Sequence, residues 1–126
     1  MASIRDASPE LDAVRERCLS LPEVTERLSH GAPTFFVRDK KTFVVFHDGH
    51  HDDDAVALWC AAAPGVQVEL VGAEPDRFFR PPYVGHRGWI GVRLDVDVDW
   101  AEIAQIVVDA YRCVAPKTLV ARLDQP

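Results

Sequence analysis

Three runs of strand-forming residues in the first half of the chain limit its fold more than any other feature. Residues 34–37, 42–47 and 55–61 are rich in β-branched and aromatic side chains. Arg38-Asp39-Lys40-Lys41 separates the first two, and a polar loop over 48–54, with Gly49 in it, separates the second two. Connections this short cannot carry a crossover to a parallel strand, which takes a dozen or more residues. The three runs therefore form an antiparallel meander. In the third, Val56, Leu58 and Cys60 fall on one face and Trp59 on the other.

Helical patterns flank the strands. Ser8-Pro9-Glu10 reads as a helix start, with serine as cap, proline at the first helical position and glutamate facing the positive end of the helix dipole. Leu11, Val14, Cys18 and Leu21 continue it at helical spacing. Pro22 interrupts, and a second short turn of helix is predicted over 23–28, ending at His30-Gly31. Residues 1–7 are expected to be a loose tail. Near the other end, Asp99 caps the clearest helix, and Glu102 three residues on completes a capping-box pattern. Trp100, Ile103, Val107, Tyr111 and Val114 make its apolar stripe. Pro116 starts a last short helix over 117–123. Residues 62–73 read two ways. Val66, Val68 and Leu70 alternate with Gln67 and Glu69 as in a strand, whereas Pro64 as a first helical residue would put Val66 and Leu70 on one helical face. The whole is an α+β, two-layer domain with helices on one face of an antiparallel sheet.

The second half is organised around 78–94, FFRPPYVGHRGWIGVRL. It holds Phe78, Phe79, Tyr83, Trp89, Arg80, Arg87 and Arg93 and not one carboxylate. It reads as a Pro-Pro turn, an extended piece ending at Tyr83-Val84, a tight connection through Gly85 and Gly88, and a strand over 89–94. Alternation puts Trp89, Gly91 and Arg93 on one face and Ile90, Val92 and Leu94 on the other. Gly91 marks a bulge or a close backbone approach.

At 126 residues the chain is one domain, able to bury a core without disulfide or metal support. No apolar run approaches the roughly 18 residues of a membrane span, and the N-terminus has no apolar signal region. Cys18, Cys60 and Cys113 are odd in number, without CxxC spacing, and each sits in an apolar pattern. Buried, reduced thiols and a cytoplasmic location are expected. The net charge of −6 opposes strong non-specific binding to nucleic acid. The charge is segregated, however, since the acids concentrate in the first helix, in Asp48 and Asp52 to Asp54, and in 95–102.

Three functional readings compete. In the first, Lys40, Lys41, Arg77, Arg80, His86 and Arg87 contact phosphates of double-stranded DNA, arginine being suited by its planar fork. Against it, the aromatics of 78–94 can be core residues and the arginines a solvated surface. In the second, the sheet face left open by the helices carries Trp59, Trp89 and Arg93 and binds a protein partner or a second copy of the chain. The third is catalysis or metal binding, and here the residues offer little. His47-Asp48-Gly49-His50-His51-Asp52-Asp53-Asp54 fits no closed tetrahedral site. There is no G-x-S-x-G elbow, GHRGWIG is not a phosphate-cradling loop, and Ser29-His30 are mere sequence neighbours. Neither an enzyme nor a cofactor is expected.

Four features, in this order, resemble the MmcQ/YjbR family of small bacterial proteins. Leu21-Pro22-Glu23-Val24 precedes His30-Gly31-Ala32-Pro33-Thr34-Phe35; Lys40-Lys41-Thr42-Phe43 comes next. Pro81-Pro82-Tyr83-Val84-Gly85 then leads to Gly88-Trp89-Ile90-Gly91-Val92, and Asp99-Trp100 to Ala110-Tyr111-Arg112 and Ala115-Pro116-Lys117. The resemblance implies a compact fold of α-β-β-β-α-β-β-α type and makes 64–74 a helix. The expected order here is α-β-β-β-α-β(-β)-α-α. It also implies DNA binding through a double-wing surface, with Lys40-Lys41 and His86-Arg87 at the wing tips, and no shared catalytic apparatus.

Overall fold

The first helix starts where its cap residues put it. In the computed structural model, which describes residues 8–48 and 56–124, the Ser8 hydroxyl accepts the Leu11 amide at 3.2 Å. Helix α1 (Pro9–Leu19) buries Leu11, Val14 and Cys18. Past Pro22, Glu23 takes φ +58 and turns the chain. The chain then enters strand β1 (Val24–Ser29), not the helical turn predicted for 23–28. Its six residues pair with β2 (Ala32–Val37) from Val24↔Val37 to Ser29↔Ala32. The link is a two-residue turn, His30-Gly31, with both residues at positive φ, the geometry whose twist suits a hairpin. Six residues are too few to nucleate a helix alone, and a complete ladder outweighs their weak helical spacing. Leu28 accordingly points outward, 71% exposed.

A second such turn, Arg38-Asp39, joins β2 to β3 (Lys41–Asp48). The register slips there: Phe35 faces Val44, but Phe36 faces Thr42. Phe43 is the extra residue, and the bulge re-aims it into the core. It meets Tyr111 edge-to-face at 5.7 Å. Strand β4 (Val56–Cys60), helix α2 (Val66–Ala73), strands β5 (Phe78–Phe79) and β6 (Ile90–Arg93), and helices α3 (Trp100–Val114) and α4 (Lys117–Leu123) complete the chain. The sheet is antiparallel throughout, in the order β1-β2-β3-β4-β6-β5. The fold is α+β as expected, with one strand more before α2.

The two sheet faces are set by the register. Phe35, Val44, Cys60 and Ile90 form one cross-strand row. They share a core cluster with Leu11, Val14, Ile103, Val107, Tyr111 and Leu119 of the helices. The other face carries the row Arg27, Thr34, Val45, Trp59, Gly91 and Phe79. There the Arg27 guanidinium lies 3.7 Å over Phe36, and His47 stacks on Trp59 at 4.1 Å. At Gly91 the close approach is that of the Phe79 ring, which a Cβ would overlap at 2.4 Å.

Three expectations about single side chains need correction. Trp89 does not share the Trp59 face. Strand β6 begins one residue later, so alternation does not extend to Trp89, which turns into the core at 4% exposure. Cys113 is exposed, because two residues past buried Tyr111 is the far side of a helix with 3.6 residues per turn. Asp99 caps α3 through the Ala101 amide at 3.0 Å, but Glu102 meets Arg77 instead of closing a capping box. No helix among the described residues is long and apolar enough to cross a membrane.

The buried thiols give a pH prediction. Burial, reinforced by Cys60 and Glu26, raises the Cys18 thiol, and burial pushes Cys60 up to about 12. In the unfolded chain both ionise near pH 8.5. The folded state therefore binds more protons above that pH. Stability is full below pH ~8.5 and falls above it by roughly 1.4 kcal/mol per pH unit for each thiol. Urea unfolding across this range should show the decline, with a shallower slope in Cys60→Ala. A thiol reagent should modify Cys113 in the native chain, and Cys18 and Cys60 only on unfolding.

Candidate functional site

The β2–β3 turn divides its four polar residues into two pairs with different roles. Arg38 bonds Glu23 at 3.1 Å, and Asp39 accepts from Arg27 and from the Thr25 hydroxyl. Lys40 and Lys41 are exposed, and no acid among the described residues pairs with them.

Opposite them stands the loop between β5 and β6, shaped by a buried amide. Gln67 of α2, only 9% exposed, donates from Nε2 to the carbonyls of Gly85 at 2.8 Å and Trp89 at 2.6 Å. Between those carbonyls runs one 3-10 turn, Gly85–Arg87. Gly88, at φ +85, closes it by donating to the Gly85 carbonyl at 3.0 Å. The turn sends His86 and Arg87 outward. The Arg87 guanidinium lies 5.3 Å over the Trp89 ring, a cation–π contact that restrains it.

The two basic tips meet. Lys40, Lys41, Thr42 and Arg87 line one open cleft of about 480 Å³ with Cys113 and Val114 at the end of α3. No carboxylate among the described residues lines it. The negative end of α3 offsets part of the mutual repulsion of the three cations. The cations beside Cys113 do not lower its thiol. Partial burial, and then Asp109, hold its thiol above the usual range.

The remaining predicted residues separate. The Arg80 stem lies on Gly85, where a Cβ would come within 2.6 Å of its Cγ, and no described acid pairs with its head. Arg77 does not belong to this surface. It is bound by Glu74 at 2.8 Å and by Glu102, which together raise its pKa and tie the approach to β5 to the start of α3. On the open face, Arg93 is held by Asp95 at 3.1 Å. Of the His47–Asp54 run, residues 49–54 lie outside the described residues. Among those described, no group of three or more His, Cys, Asp or Glu could hold a metal ion. A second cleft of about 410 Å³, between α2 and α3, is lined by Ala61, Val66, Leu70, Ile90 and Ile106 among others. Neither cleft includes His30, Tyr83 or His86.

Two residues escaped the sequence reading. Gln67 looked like the outward member of an alternating run, and its only signal was an amide among apolar neighbours. Tyr83, read as core or core edge, is 85% exposed. Gln67→Leu removes the donor to both carbonyls and should lower stability by about 1–3 kcal/mol. Denaturant unfolding measures this, and faster amide exchange over 85–89 than elsewhere would localise it.

A family model described as YjbR matches residues 19–113. The chain is also similar to the crystal structure of Deinococcus radiodurans protein DR2400, described by the domain DUF419. The identity is 22%, the TM-score 0.72, and the match covers 92% of this chain and 88% of that one. No curated protein sequence matches. The family match runs from the end of α1 to Cys113 and so takes in all six strands, the Gln67 amide and every residue of the cleft but Val114; the chain belongs to the YjbR family.

Proposed function

We propose that the chain is a non-catalytic DNA-binding protein. It seats backbone phosphates among Lys40, Lys41 and Arg87, with Arg80 and His86 on the adjoining loop. One observation carries this reading: in a chain of net charge −6, three cations line one cleft with no carboxylate among its described lining residues. Elsewhere acids are plentiful enough that Arg15, Arg27, Arg38, Arg77, Arg93, Arg112 and Arg122 each meet one. Cations left unpaired in such surroundings are available to an external anion, and a guanidinium held on Trp89 is preorganised for phosphate. A reducing compartment, the cytoplasm, suits three unbridged cysteines. The rival reading, a partner or homodimer face around Trp59 and Trp89, is weakened. Trp89 is in the core, His47 covers one side of Trp59, and Asp95 holds Arg93.

The test is fluorescence anisotropy of a labelled random duplex at several salt concentrations. The triple variant Lys40→Ala/Lys41→Ala/Arg87→Ala should bind more weakly. It should also flatten the plot of log affinity against log salt by about 3, near one per lost phosphate contact. Arg77→Ala should cost stability while leaving that slope unchanged, because Arg77 is already paired. Wild-type protein that stays unbound at low salt, or a triple variant with the wild-type slope, would remove the proposal.

A further inference from the structure

Tyr83 is the most exposed of the large hydrophobic residues described, at 85%. Its backbone has φ +67, a region that an aromatic residue rarely enters. Across it the Val84 amide donates to the Pro82 carbonyl at 2.7 Å. A hydrogen bond spanning one residue at positive φ is a γ-type turn of the strained kind. Among the described residues nothing recovers that strain through the side chain. The ring packs on no core cluster, and the phenol has no hydrogen-bond partner among the described residues. The loop holds a flat aromatic ring out in water at a local conformational cost.

The loop that carries the ring is basic. Arg80, His86 and Arg87 are the exposed charged or titratable residues of the same loop, and no acid occurs from 77 to 94. Arg87 is four residues from Tyr83, a chain distance of at most ~14 Å, and it lines the cleft with Lys40 and Lys41. An exposed ring on the loop that also supplies cleft cations is the pairing that single-strand binders use. Cations track the backbone, and an aromatic side chain stacks on a base of any sequence. A closed duplex hides its base faces and can offer only the phosphates.

Resting on the phosphate-binding reading above, we infer that Tyr83 stacks on a nucleobase, so that this surface takes single-stranded or locally unpaired nucleic acid in preference to closed duplex.

The full chain is titrated with labelled oligo(dT), with a duplex of equal length, and with polyglutamate as a polyanion lacking bases. Wild type should bind oligo(dT) more tightly than duplex and polyglutamate least. Tyr83→Ala should weaken oligo(dT) binding roughly 5- to 100-fold and leave duplex binding nearly unchanged. Tyr83→Phe should retain wild-type affinity, since the ring and not the hydroxyl does the stacking. Tyr83→Gly, which relieves the positive φ, should melt at or above the wild-type temperature. Equal loss in Tyr83→Phe and Tyr83→Ala would overturn the inference, as would a lower melting temperature in Tyr83→Gly. So would polyglutamate binding that falls in parallel, which would mark the ring as a contact for an acidic protein. If no nucleic acid binds, the phosphate reading fails and takes this inference with it. If salt-sensitive binding through Lys40, Lys41 and Arg87 persists and Tyr83→Ala binds oligo(dT) normally, the stacking inference alone fails.

Discussion

The basic cleft depends on one buried side-chain amide. A buried polar group must find partners or cost stability, and Gln67 finds two on one loop, the carbonyls of Gly85 and Trp89. That pair fixes the distance between the two ends of the 3-10 turn. With the ends held, Trp89 enters the core, and its ring becomes the surface on which Arg87 rests. The chain of cause runs from a residue in α2, through a carbonyl pair in a distant loop, to the position of a charge at the cleft. Opening the loop would orphan the amide and unseat the tryptophan together.

Two uses of arginine occur ten residues apart. Arg77 satisfies Glu74 and Glu102 and joins the approach to β5 to the cap region of α3. Arg87 meets a ring instead of a carboxylate. A partly exposed ion pair contributes little to stability, commonly about 0–1 kcal/mol, so the value of Arg77 lies in fixing where two elements meet. An unpaired guanidinium over a ring keeps all its N–H donors for something outside the protein. Residue type does not separate these roles; the carboxylates within reach do.

Much of this was legible locally, and the remainder depended on distant partners. The Ser8 and Asp99 caps, the Arg38–Lys41 hairpin and the α3 stripe are set by neighbours a few residues apart, and all form as read. Residues 23–28 failed because their state is decided by a ladder with β2, not by their own spacing. Glu102 failed because Arg77, 25 residues away, competes for its carboxylate. Trp89 failed because alternation was extended past the first ladder pair. Arg80, His86 and Arg87 were visible as basic residues in a run without acids, and Lys40 and Lys41 as a basic pair next to Asp39. Their convergence was not visible, because it needs Gln67 on one side and the Arg38-Asp39 turn on the other. Tyr83 was visible as an aromatic but not as an exposed one, since exposure here arises from a backbone turn that Pro81-Pro82 only hints at.

The negative net charge and the positive cleft act over different distances. Fields of the whole chain fade within a Debye length of about 8–10 Å at ordinary ionic strength. Beyond that distance a polyanion meets little field; just inside it the acidic surface repels. Only a ligand that brings phosphate into the cleft itself meets Lys40, Lys41 and Arg87 at contact range. An acidic protein whose described residues leave one basic cleft without a carboxylate is therefore expected to be a poor general binder of polyanions. On the phosphate-binding reading proposed above, such a cleft would favour anions narrow or flexible enough to enter it, and a flexible single strand meets that condition more easily than a rigid duplex.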